Sequence, residues 1–131
     1  MRARSRAGGL VLAGAAVLLA GCSSAQQPDV EHVATVFEDQ AADPGQRCDL
    51  LAPATLATFE RDKSTTCSAA IGNLSLAGGN VRSVQVWGGG AQVKLAGDTL
   101  FLTQTSAGWR VTAAGCQPQG EEPYDCQVEG P

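Results

Sequence analysis

The chain predicts an α+β domain, with short helices first and an antiparallel β-meander after them. Two observations carry this. Apolar residues recur at spacings of three and four in the first half of the chain, and alternate between glycine-marked turns in the second. The first element is a helix from Val30, capped by Asp29, with Val33, Phe37 and Ala41 completing one apolar face. Glu31, Glu38 and Asp39 fall elsewhere on that wheel. The run DPGQ at 43–46 is expected to break this helix. A second helical stretch carries Cys48, Leu50 and Leu51 and stops near Pro53, which suits the first turn of a third, PATLATFE, with Leu56 and Phe59 turned inward. STTCSAAIGNLS resumes after the charged RDK, with Ser64 or Thr65 as cap and Gly72-Asn73 as its end.

From Val81 the period changes to two. VRSVQVW, AQVKLA, TLFLTQT and WRVTAAGC read as four strands joined by the turns GGG, GDT and SAG. These loops are too short for the crossovers that parallel strands need, so the sheet is antiparallel. The helices should cover one face, leaving Gln92, Lys94 and Arg110 toward solvent. QPQGEEPYD reads as a polar excursion closed by Cys126, with QVEGP adding at most a little edge strand.

The address of the protein is written ahead of this domain. Arg2, Arg4 and Arg6 precede a short apolar run from 8 to 21, the form of an export signal rather than a spanning helix, which needs roughly 20 apolar residues. The run ends in Leu19-Ala20-Gly21-Cys22, which resembles the lipobox of bacterial lipoproteins. That resemblance implies a diacylglyceryl group on the Cys22 thiol and cleavage just before it. Residues 1–21 are then the signal peptide, 22–28 a lipidated tether, and 29–131 one domain held on the outer face of the cytoplasmic membrane.

With Cys22 assigned, Cys48, Cys67, Cys116 and Cys126 remain, an even count in an oxidising compartment. Four cysteines allow three pairings; nearness in sequence favours Cys48–Cys67 and Cys116–Cys126. Zinc ligation fits the spacings poorly, and His32 is the lone histidine. Loss of the three signal arginines leaves 6 basic against 13 acidic residues, a net charge of −7. Such a chain lacks the basic face of a nucleic-acid binder and is not drawn to an anionic membrane by charge.

The tail GWRVTAAGCQPQGEEPYDCQVEG, together with CDLLAP and GDTLFL, resembles small actinobacterial lipoproteins of the nuclear-transport-factor-2-like (cystatin-like) superfamily. The resemblance spans about Asp29 to Gly130. It implies a cone in which a curved sheet wraps onto the helices, sometimes with a pocket at the wide end. It implies no single activity, because the superfamily holds enzymes, binders and assembly factors.

The residues themselves supply few catalytic groups. An isomerase or dehydratase would need an acid/base pair, for which His32, Asp98 and Tyr124 are the candidates. Yet His32 falls on the polar side of its helix, and Asp98 follows glycine in an ordinary hairpin turn. WGGGA lacks the lysine and hydroxyl residue of a phosphate loop and precedes a strand. Trp87, Trp109 and Tyr124 are the aromatic residues available to line a pocket. The sequence therefore names no cofactor, metal or catalytic residue. It favours a non-enzymatic, lipid-anchored domain that binds an envelope protein or a small apolar ligand, ahead of a small acid/base enzyme or a purely structural envelope lipoprotein.

Overall fold

The computed structural model describes residues 22–131, with Gly8, Gly9 and Gly14 besides; the expected signal segment otherwise lies outside the described residues. Helices α1 (Cys22–Glu38), α2 (Pro44–Asp49), α3 (Pro53–Lys63) and α4 (Cys67–Ala70) precede a 3-10 turn, Ile71–Asn73. Strands β1 (Val81–Trp87), β2 (Gly90–Leu95), β3 (Thr99–Thr105), β4 (Gly108–Gln119) and β5 (Glu122–Glu129) follow. The strands form one antiparallel sheet in sequence order, so the expected α+β class and meander are present.

Alternation decides which face is covered. Ala91, Val93, Leu100, Leu102, Trp109 and Val111 turn inward and meet Val30, Val33 and Phe37 of α1 in one core. Lys94 is exposed as expected, whereas Gln92 and Arg110 are half-buried. Two sequence features extend further than their patterns suggested. Residues 22–28, expected as a linker, are helical despite Pro28, and α1 starts at Cys22 rather than at Val30. Alanine and glutamine are good helix formers, and the Gln27 side chain donates to the Val84 carbonyl of β1 (3.3 Å), pinning this extension to the sheet. The expected polar excursion is instead a hairpin: β4 runs on to Gln119 and β5 pairs with it from Glu122.

Helix starts follow their capping chemistry. Helix α1 already ends at Glu38, ahead of the DPGQ break, so Ala41 lies outside the helix and is exposed. The Asp43 carboxylate instead accepts the Gln46 N–H (2.9 Å) and opens α2. Pro53 sits in the first turn of α3, and Phe59 faces the core. The charged RDK prolongs α3 rather than interrupting it, and α4 is capped from a distance, Glu60 accepting the Cys67 N–H (3.0 Å). Beyond the end of β5, residues 50–52 continue the sheet. Val111 donates to Leu50 O (2.8 Å) and Ala52 donates to Val111 O (2.9 Å), which seats α3 beside the fifth strand position.

Disulfides Cys48–Cys67 and Cys116–Cys126 are both formed, with Cα separations of 6.0 and 3.9 Å. The first ties α2 to α4; the second crosses the β4–β5 hairpin at a register pair. Gly115, just before Cys116, takes a left-handed φ of 65°, and a Cβ there would lie 2.8 Å from the Gln127 Cβ. Only glycine satisfies both conditions.

Candidate functional site

The face of the sheet turned away from α1 carries a groove of about 620 Å³, open to solvent on one side. Its floor is Phe101, Thr103 and Thr105 of β3 with Thr112 of β4; its wall is the first turn of α3, Pro53 to Thr55, and the chain after β5. A bulge between β3 and β4 places Phe101 opposite Ala113 and Leu102 opposite Val111, skipping Thr112. The freed Thr112 carbonyl accepts the Gly130 N–H (3.0 Å) and the Thr55 hydroxyl (3.2 Å), which fixes the wall to the floor.

Four threonines would normally make such a groove polar. Here each hydroxyl proton is already spent on a backbone carbonyl: Thr55 on Thr112, Thr112 on Phe101, Thr103 on Gly89 and Thr105 on Gly108. What the groove offers is therefore methyl groups, a phenyl edge and acceptor lone pairs. Glu129 is its one charged lining side chain. Phe101 is held by an edge-to-face contact with Tyr124, ring centroids 5.2 Å apart, and Gln92 donates to the Tyr124 hydroxyl (3.4 Å).

Of the aromatic candidates, Tyr124 thus buttresses the groove without lining it. Trp109 is buried in the core on the opposite face, and Trp87 is 54% exposed at the end of β1, so the three do not meet. The acid/base candidates are apart as well. His32 is exposed on α1, while Asp98 is buried, its carboxylate accepting the N–H groups of Thr99 (2.7 Å) and Gly115 (3.0 Å). The backbone of Cys22 begins α1; its side chain lies outside the described residues.

One ionisable cluster escaped the sequence pattern. Glu38, placed by periodicity on the polar side of α1, is only 8% exposed and lies against Asp98 and Gly78. Burial first, then the neighbouring Asp98, push its carboxyl up to about 9 from an ordinary 4.5; Arg47 opposes the shift without reversing it. At neutral pH Glu38 is therefore a protonated acid. Arg47, 1% exposed, donates through Nε to the Phe37 carbonyl at the end of α1 (2.8 Å) and lies over the Phe37 ring at 5.7 Å. Burial lowers its pKa.

Among the described residues no group of three or more histidine, cysteine, aspartate or glutamate side chains is placed to hold a metal ion, and no helix is long and apolar enough to cross a membrane. No protein-family model matches the chain, and no curated protein or solved structure shows significant similarity to it.

Proposed function

We propose that this protein is a lipid-anchored, extracytoplasmic binding domain that takes a small apolar ligand on the outer face of its sheet. The observation that carries the reading is the groove beside Phe101, whose threonine donors are all internally satisfied. A ligand entering it gains apolar contact without stranding a buried donor, and any polar group it brings should be a donor directed at Glu129. The groove exceeds the roughly 300 Å³ at which small-molecule sites begin. An oxidising compartment agrees with the two disulfides, and the Leu-Ala-Gly-Cys sequence supplies the anchor.

The cone-like arrangement implied by the resemblance to nuclear-transport-factor-2-like lipoproteins belongs to the same proposal. It draws support from the single antiparallel meander with α1 packed on one face, although the groove lies on the other. A second reading, an acid/base enzyme of the isomerase or dehydratase type, draws on the buried Glu38–Asp98 pair rather than on His32 or Tyr124. Both Asp98 oxygens are committed to backbone N–H groups, which favours a structural use of that pair.

Native mass spectrometry of the disulfide-bonded protein after exposure to an envelope lipid extract tests the binding role. The expected result is a retained adduct that is lost in Thr103→Trp, where an indole fills the groove. An adduct unaffected by Thr103→Trp would place binding elsewhere. A clean unliganded mass in both would refute the ligand reading.

A further inference from the structure

The end of the sheet that carries Trp87 is built differently from the opposite end. Trp87 is the one large hydrophobic side chain that stands exposed among the described residues. A lone exposed indole is unremarkable by itself. Its position is not. Trp87 closes β1 and is followed by the glycine turn at 88–90; because Gly90 pairs with Thr103, the β3–β4 turn at 106–107 lies at the same end. The two tips are tied together, Gln104 N–H and Thr103 Oγ1 both donating to Gly89 O at 2.8 and 3.3 Å. Neither tip carries a charge: their residues are glycine, serine and alanine.

Helix α1 points its N-terminus the same way. Its last residue, Glu38, lies at Asp98, level with the Val81–Leu95 pair, whereas Gln27 lies at Val84, three residues further along β1. Continuing that line by the five residues before Gln27, about 7.5 Å of helix, carries Cys22 past the β1 edge toward the Trp87 end. The site of the expected lipid therefore joins the domain at this end. The acidic residues of the β4–β5 hairpin, Glu121, Glu122 and Asp125, sit at the far tip, since β4 runs away from Gly108 for 12 residues. At about 3.3 Å per residue that separation is at most about 36 Å along the strand, well beyond the ~8 Å Debye length at physiological salt. Charges toward the Trp87 end are Arg110 on β4, Asp49, which the parallel pairing of Leu51 with Val111 sets near the level of Trp109, and Asp29 and Glu31 on α1.

We propose that the Trp87 end is a membrane-contacting face, with the Trp87 indole seated among the lipid headgroups beside the anchor. An indole suits that layer because its ring is apolar and its N–H finds water or phosphate oxygen. The uncharged glycine and serine tips approach without a desolvation cost for ions, and the acidic hairpin is held away from the anionic surface. The contact sets orientation, turning the groove of the outer sheet face sideways to the bilayer rather than into it. This inference rests on the lipid-anchor reading of Cys22.

The test uses the full chain, expressed with residues 1–21 in a lipoprotein-processing bacterium and reconstituted into vesicles of phosphatidylcholine and phosphatidylglycerol in equal parts. Flotation and intact mass report the anchor; quenching of tryptophan emission by lipids brominated near the headgroup reports the contact. The chain has two tryptophans, so anchored protein is expected to lose about half its emission, the share of one interfacial indole. That loss should vanish in Trp87→Phe, which retains only the buried Trp109. Protein that floats with its acyl mass but shows no quenching, with Trp87 open to acrylamide, would overturn the contact while leaving the anchor standing. Protein that neither floats nor carries a lipid mass would overturn both.

Discussion

Glu38 shows what a single buried carboxyl does to a small domain. Its neighbours are Asp98 from the turn before β3, Arg47 from α2 and the Gly78 backbone, and burial outweighs the help that Arg47 gives the ionised form. The folded-state pKa, about 9, lies above the unfolded value near 4.5. The folded state therefore binds the proton more tightly, and this contribution is complete below about pH 4.5. It is lost progressively as pH rises through about 9. Glu38→Gln keeps the shape and removes the ionisation, so its melting temperature should stay flatter than that of the wild type between pH 5 and 9. Thermal melts across that range check this. Parallel curves for the two proteins would mean that Glu38 ionises freely in the folded state. The site was not legible in the sequence, because helical periodicity alone turns Glu38 outward. The stretch from Leu76 to Gly79 and the Asp98 turn cover it, and both lie far along the chain.

At the scale of elements, legibility followed apolar patterning. β1 to β4 were readable because their inward residues alternate and glycine marks each turn. β5 was not, since only Val128 of its eight residues is buried and the rest of its pattern is polar. It exists through pairing with β4 and through Cys116–Cys126, interactions that leave no hydrophobic period. The groove was invisible for a related reason: Pro53, Phe101 and Glu129 are brought together by the sheet edge, not by any local motif.

Short helices α2 and α4, of 6 and 4 residues, are below the length at which a helix holds itself. Cys48–Cys67 closes a separation of 19 residues and Cys116–Cys126 one of 10. Because loop entropy grows only logarithmically, each should contribute about 3 kcal/mol, or roughly 10–20 °C in melting temperature. Their consequences for local order should differ. The double alanine variant at Cys48 and Cys67 should open α2–α4 to limited proteolysis, whereas the variant at Cys116 and Cys126 should fray only the hairpin. Unchanged melting temperatures in both variants would remove the disulfides from the account of stability.

For the whole molecule, the proposed lipid anchor makes a prediction about what would keep it at a membrane. Three sources of attachment can be compared. No described helix is long and apolar enough to span the bilayer, and a chain cleaved before Cys22, of net charge −7, would be repelled by anionic lipid rather than drawn to it. A single interfacial indole orients a protein that is already tethered, but stable attachment takes two acyl chains or a comparable pair of signals. Under the lipid-anchor proposal, the Cys22 lipid would then supply nearly all the affinity. Cys22→Ala should therefore shift the domain from the membrane fraction of cells to the soluble extracytoplasmic or secreted fraction, unless the unprocessed signal itself holds it. Intact mass separates those two fates, because an uncleaved chain keeps residues 1–21. A Cys22→Ala protein that is cleaved, unlipidated and still membrane-bound would show that another surface of the domain carries the attachment, and would refute the anchor.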